Sequence, residues 1–197
     1  MKMEDSVELR ICRSAFFESL EDANNAFAEP SLFAELRFDL SSFSHSDLKK
    51  LKQPEKLIFT CRQGRFSEEE RLQAYKIALE IGVTYIDLDF QTDSELLPKL
   101  KPFLKDCSTS LILSQHNFQE TPSLDALKTN IHTVFDLGAQ YAKIITTAKY
   151  PDDLNTIYSL YNQYNTGKLI AFAMGEKGAE SRVKNLLLGA PFTYAAY

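Results

Sequence analysis

Short apolar runs rich in β-branched and aromatic residues recur along the chain, each bounded by polar or turn-forming residues. They read VELRIC from Val7, LFAELRF from Leu32, KLIFTC from Lys56, VTYIDLDF from Val83, SLILS from Ser110, YAKIITT from Tyr141, KLIAFAM from Lys168 and PFTYAA from Pro191. These are eight candidate strands. Between them the apolar positions shift to helical spacing. In SEEERLQAYKIALEIG, Ser67 to Gly82, Leu72, Tyr75, Ile77, Leu79 and Ile81 alternate with charges, and a glycine closes the pattern. Further helices are predicted near 14–28, 46–53, 93–104, 122–137, 150–164 and 180–188. The serine before the glutamates of SEEE reads as a helix start, with carboxylates at the positive end of the helix dipole, rather than as a metal site.

Strand starts fall roughly every 22 to 32 residues, the length of a βα unit. Alternating strands and helices imply a parallel sheet, and eight repeats favour a (β/α)8 TIM barrel over an open doubly wound sheet, the alternative. Neither the Gly-x-Gly-x-x-Gly fingerprint after the first strand nor a phosphate-cradling Gly-x-x-x-x-Gly-Lys-Ser/Thr loop occurs. In such a barrel the functional groups gather at the carboxyl ends of the strands.

Length and composition narrow the class. The chain has 197 residues, which suits one domain, taken as 1–197, and no run approaches the ~18 apolar residues of a membrane helix. The start, MKMEDSVELR, lacks the apolar segment of a secretory signal, so a cytoplasmic location is expected. A formal net charge of -5 argues against a nucleic-acid surface, so an anionic ligand must meet locally placed arginines. Cys12, Cys61 and Cys107 lack the spacing of a zinc or redox site and read as buried free thiols.

The predicted strand ends carry the chemistry. By period-two alternation Glu35, Arg37 and Asp39 share one face of the second strand, either as an internal ion pair, a solvent-facing edge or a binding face. The third strand ends in Thr60, Cys61 and Arg62. The fourth holds Asp87 and Asp89 on one face, and the fifth ends at Ser114 and His116. A lone histidine at a strand end is more often a satisfied structural residue than a base, so its reading depends on what the other strands carry. Lys143 lies inside the otherwise apolar sixth strand. Desolvation and nearby arginines would lower its pKa toward that of a nucleophilic amine. The alternatives are a side chain that snorkels to solvent or pairs with Asp87 or Asp89.

ELRFDL at Glu35 to Leu40, TCR at Thr60 to Arg62, YIDLDF at Tyr85 to Phe90, SQHNF with TPS at Ser114 to Ser123, AKI at Ala142 to Ile144 and MGEKGAESR at Met174 to Arg182 together resemble type I 3-dehydroquinate dehydratase, in that family's order. The resemblance implies a (β/α)8 barrel that dehydrates 3-dehydroquinate to 3-dehydroshikimate in the shikimate pathway without metal or cofactor. By it Lys143 forms an imine with the substrate ketone, and His116 removes the adjacent proton and protonates the departing hydroxyl. Glu35, Arg37 and Arg62 resemble residues that hold hydroxyls and carboxylate, and Arg182 resembles the arginine that grips the carboxylate. Asp89 stands where the family usually has a glutamate that helps orient the histidine.

A second departure lies at Tyr197, where the sequence stops just after the eighth strand, whereas the family continues through a lid loop into a final helix. The resemblance therefore leads us to expect a barrel lacking the final helix, as a fragment or as part of a fusion to shikimate dehydrogenase. The partners implied are the small-molecule substrate and either a homodimer or that fused domain. Two rivals stand beside this reading: another lysine-imine barrel such as a class I aldolase, and a catalytically silent barrel acting as a binding or scaffolding module.

Overall fold

The computed structural model describes residues 10–164 and 167–197. Strand and helix alternate from β1 (Ile11–Ala15), α1 (Leu20–Ala26), β2 (Phe33–Arg37), α2 (His45–Leu48), β3 (Lys56–Thr60), α3 (Glu68–Glu80) and β4 (Tyr85–Asp89) onward. The series continues through α4 (Leu96–Leu104), β5 (Ser110–His116), α5 (Leu124–Asp136), β6 (Tyr141–Thr147), α6 (Asp152–Gln163), β7 (Leu169–Met174), α7 (Ser181–Leu187) and β8 (Thr193–Ala196). The sheet order is β7-β6-β5-β4-β3-β2-β1-β8. Eight strands in one sheet with helices between them are the (β/α)8 fold that the strand spacing predicts. Contacts divide the chain into two compact units, one running to Leu111 and including Tyr194–Tyr197, the other Ile112–Thr193.

In the first unit, β1 to β4 pair in parallel, with Arg37, Thr60 and Asp87 in one row and Ser14, Glu35, Ile58 and Tyr85 in the row below. The intervening row of Leu36, Phe59 and Ile86 faces the helices, where Phe59 meets the ring of Tyr75 from α3 edge-on at 5.3 Å. The charged residues therefore lie on the opposite face. Ser67 and Glu70 form a reciprocal capping box at the start of α3, as the SEEE pattern predicts. The face α3 buries differs from the one read in the sequence. It includes Arg71, Ala74 and Ala78 beside Tyr75, Ile77 and Leu79, while Leu72 and Ile81 are half-buried.

In the second unit, Ser114, Lys143 and Ile170 stand in one row across β5, β6 and β7, and His116, Ile145 and Phe172 in the next row toward the carboxyl ends. The alternate row of Gln115, Ile144 and Ala171 faces helices. There Asn130 of α5 donates to Gln115 Oε1 at 2.7 Å, and the Tyr161 hydroxyl of α6 donates to the Ala171 carbonyl at 2.9 Å.

The largest displacement from the predicted elements is at the start. The first strand was expected from Val7 to Cys12; residues 7–9 lie outside the described residues, and β1 runs from Ile11 to Ala15. Its extent follows the ladder to β2, which brings Ser14 opposite Glu35. The helix expected near 14–28 shortens to α1, capped by Ser19, whose side chain accepts the Asp22 amide. Among the described residues no helix is long and apolar enough to cross a membrane. None of the three cysteines is in a disulfide; Cys12 and Cys61 are buried as expected, whereas Cys107 is half-buried.

Candidate active site

Two clusters of polar groups mark the carboxyl ends of the strands, one in each unit. In the first, β2 delivers Glu35, which is buried among hydroxyls: Thr60 Oγ1 donates to its Oε1 at 2.8 Å and Ser14 Oγ to its Oε2. Two residues on, Arg37 forms a fork to Asp39, with Nε and Nη2 at 3.1 and 2.6 Å from the two carboxylate oxygens. Alternation alone predicts that Asp39 continues β2 beside Arg37. Instead the chain turns into a 3₁₀ turn over Phe38–Leu40, and the pair forms because the arginine reaches across that turn. Burial alone would lower the Arg37 pKa; the bond and charge of Asp39, with Glu35 behind it, raise it overall despite the Arg62 cation.

Arg62 follows β3 and donates from Nη2 to Asp87 Oδ1 at 2.9 Å. Asp87 is 0 % exposed and Arg62 half-buried, so the carboxylate side of the pair is fully desolvated. Burial again opposes the charge, yet Asp87, Tyr75, Glu35 and Asp89 together hold the Arg62 pKa above its ordinary value. The cation is therefore permanent. Asp89 ends β4, and its Oδ1 accepts the Gln91 and Thr92 amides at 3.0 and 3.2 Å, so part of this carboxylate is spent on shaping its own loop. Burial pushes the Cys61 thiol up to about 12, so it stays protonated at neutral pH.

The second cluster is built on β5, β6, β7 and α7. Lys143 is 4 % exposed, between the buried Ala142 and Ile144 on its own strand. His116, one row nearer the carboxyl ends and half-buried, stacks its imidazole with Phe118 at 6.0 Å and 15°. In the same row as His116, Phe172 carries the Arg182 guanidinium over its ring at 4.7 Å. Burial lowers the Arg182 pKa. Strand register thus puts His116 and Lys143 on one face, and the contact with Phe172 brings Arg182 to the row of His116.

Why Arg182 comes there is local. Gly175 takes φ 84° directly after β7, a conformation that favours glycine. Ser181 then fastens the start of α7, accepting the Ala173 amide at 2.9 Å and donating to the Gly178 carbonyl. In the loop after β5, Asn117 Oδ1 accepts the amides of Gln119 and Glu120, and Thr147 Oγ1 of β6 donates to the Asn117 carbonyl at 2.9 Å.

Sequence reading did not single out Ser14 or Thr60 as partners of Glu35, and it offered Asp87 to Lys143 rather than to Arg62. Only register reveals the first, while the period-two pattern of β4 already placed Asp87 beside Asp89. His45 and His132 are structural. His45 Nε2 lies 2.8 Å from the Glu70 carbonyl, and His132 Nε2 2.9 Å from the Tyr164 hydroxyl. Among the described residues no group of three histidine, cysteine, aspartate or glutamate side chains could hold a metal ion. The chemistry available is a buried amine, an imidazole and fixed cations.

Residues 10–197 match the family model described as Type I 3-dehydroquinase. The 3-dehydroquinate dehydratase of Desulfotalea psychrophila is 40 % identical over 147 residues, covering 70 % of this chain and 65 % of the relative, so the match spans just under two thirds of that protein. That of Dehalococcoides mccartyi strain BAV1 is 34 % identical over 177 residues, covering 86 % of this chain and 77 % of its own. Among solved structures, the type I 3-dehydroquinate dehydratase of Clostridium difficile superposes with a TM-score of 0.83 at 20 % identity, over 95 % of this chain and 83 % of that one, a likeness of fold.

Proposed function

We propose that this chain, which belongs to the type I 3-dehydroquinase family, dehydrates 3-dehydroquinate to 3-dehydroshikimate through an imine on Lys143, with His116 moving the proton. The observation that carries the reading is the placement of Lys143. An amine buried in an apolar strand is costly unless it has a partner or a task, and the row above it holds an imidazole.

The Lys143 amine attacks the substrate ketone, and loss of water leaves a protonated imine. That iminium draws electron density from the adjacent carbon, so His116 can take a proton there and leave an enamine. The imidazolium then gives its proton to the departing hydroxyl on the same side of the ring, as the enamine electrons expel it as water. Hydrolysis of the product imine frees Lys143. One histidine acts as base and then as acid, which needs no third proton carrier.

Arg182, supported on Phe172, is the carboxylate grip in this reading, because a planar guanidinium offers two parallel donors. Glu35, Arg37 and Arg62 are the groups assigned to the substrate's hydroxyls and carboxylate. What supports their part is a permanently charged arginine pair and a glutamate already held by hydroxyls. Asp89 is retained as an auxiliary carboxylate of the reaction, its loop anchored by its own Oδ1.

Borohydride added with 3-dehydroquinate should reduce the imine and leave a stable mass adduct. Peptide mapping should place it on Lys143. Turnover without any adduct on Lys143 would refute the imine route.

A further inference from the structure

Two side chains of α3, one turn apart on its buried face, hold three backbone groups at the carboxyl ends of β3 and β4, and a fourth through Asp93. The Tyr75 hydroxyl accepts the Cys61 amide at 3.1 Å and donates to the Asp87 carbonyl at 2.7 Å. Arg71 Nε donates to the Cys61 carbonyl at 2.9 Å, and its Nη2 pairs with Asp93 Oδ1 at 2.5 Å. The other oxygen of Asp93 accepts the Asp89 amide at 2.9 Å. Cys61 immediately precedes Arg62, and Asp87 is the residue that Arg62 pairs with. Both ends of the Arg62–Asp87 ion pair are therefore pinned by α3.

Arg71 and Asp93 are each 2 % exposed, and Tyr75 is fully buried. A buried ion pair is a weak source of stability, because desolvation consumes most of its attraction, and apolar residues of similar volume often serve as well. Ala74 and Ile77 show that this face of α3 accepts apolar packing. What the polar pair adds is direction: a guanidinium fork and a two-sided hydroxyl fix backbone groups where an apolar contact would let them slide.

We propose that Arg71, Tyr75 and Asp93 form a clamp that positions Arg62 and Asp87 for substrate binding. They are positioning residues and do not touch the reacting atoms. The proposal rests on the reading of Arg62 as a substrate-binding residue of the dehydratase.

The test uses Tyr75→Phe, which keeps the ring against Phe59 and removes one hydroxyl, and Arg71→Lys, which keeps a cation but cannot fork to both Cys61 and Asp93. Steady-state kinetics with 3-dehydroquinate on the full chain should show KM raised about tenfold, the loss of one well-placed polar contact. The kcat should stay within roughly threefold, since Lys143 and His116 are untouched. Borohydride should still trap the adduct at saturating substrate. A merely structural role would shrink the active fraction, lowering apparent kcat and leaving KM alone. Amide exchange at Cys61 and Asp89 should quicken in both variants.

Unchanged KM in folded Tyr75→Phe and folded Arg71→Lys overturns the clamp; if Arg71→Lys does not fold, Tyr75→Phe decides alone. If the wild-type chain neither turns over nor traps substrate on Lys143, it is the functional reading that fails. The exchange rates of Cys61 and Asp89 then decide the clamp by themselves, and rates equal to wild type reject it.

Discussion

Gly178 lies so close to the end of β7 that a Cβ built on it would stand 2.5 Å from the carbonyl oxygen of Ala173 and 2.6 Å from its carbonyl carbon. Both neighbours are backbone, so neither can swing aside. The glycine of MGEKGAESR is there for approach: it lets the 3₁₀ turn Glu176–Gly178 fold under the strand end, from where Ser181 starts α7 and Arg182 reaches Phe172. Gly178→Ala should destabilise the protein by about 1 to 3 kcal/mol through overpacking. It should also raise KM by shifting Arg182. Urea denaturation and steady-state kinetics check the two effects, and wild-type values in both would mean that the turn relaxes at no cost.

His116→Ala should lower the rate by at least the ~10²-fold typical of a lost general base. In the proposed mechanism imine formation precedes proton removal, so borohydride should still attach substrate to Lys143. The contrast between slow turnover and intact trapping is the measurement. Near-normal turnover would place the base elsewhere, with Asp89 the next residue to test.

Asp87→Ala should leave the half-buried Arg62 guanidinium without the carboxylate 2.9 Å away. Breaking a buried pair from one side costs about 3 to 5 kcal/mol, because the remaining charge stays desolvated. The double variant Asp87→Leu, Arg62→Met should recover most of that stability while substrate affinity stays low. Chemical denaturation separates the single from the double variant, and equal losses in both would show that the pair's charge is not what the fold notices.

The capping box of α3 supplies a pH dependence. The backbone amide of Ser67, and then its hydroxyl, bond to the Glu70 carboxylate and lower its pKa in the folded protein. A depressed folded value means that the contribution is fully present above the unfolded pKa and is lost as pH falls through the folded one. Ser67→Ala should cost about 1 kcal/mol at neutral pH, the usual worth of an N-cap. Glu70→Ala should destabilise at neutral pH and much less in acid, where the wild-type carboxylate is protonated too. Melting temperatures across the acid range test the trend; a gap between wild type and Glu70→Ala that widens in acid would contradict it.

Much of this protein was legible in its amino-acid order. The run YAKIITT coincides with β6 from Tyr141 to Thr147, and the eight strand patterns correspond to the eight strands. A buried parallel strand needs a continuous apolar run, so its presence is written locally. The candidate residues were legible for the related reason that charge is rare there: Glu35 and Lys143 stand out because their neighbours are apolar. The order of the quoted motifs then pointed to the family.

Tertiary structure decided what those residues meet. Sequence alternation extends β2 to Asp39, but the chain turns at Phe38 and the aspartate becomes the partner of Arg37. The first strand slides to Ile11–Ala15, since the extent of a strand is set by its neighbour's ladder, and only that register brings Ser14 to Glu35. Arg71 reads only as one of the charges among the apolar positions of α3 and Tyr75 as one of those positions, yet both are buried and bonded to the backbone of Cys61, beside Arg62, with Tyr75 also on the Asp87 carbonyl. Local pattern records how each residue prefers to be solvated. Which donor faces which acceptor depends on register and helix packing between segments separated by 10 to 25 residues in the chain, as in Arg71 with Cys61 and Thr60 with Glu35, and no single segment carries that information.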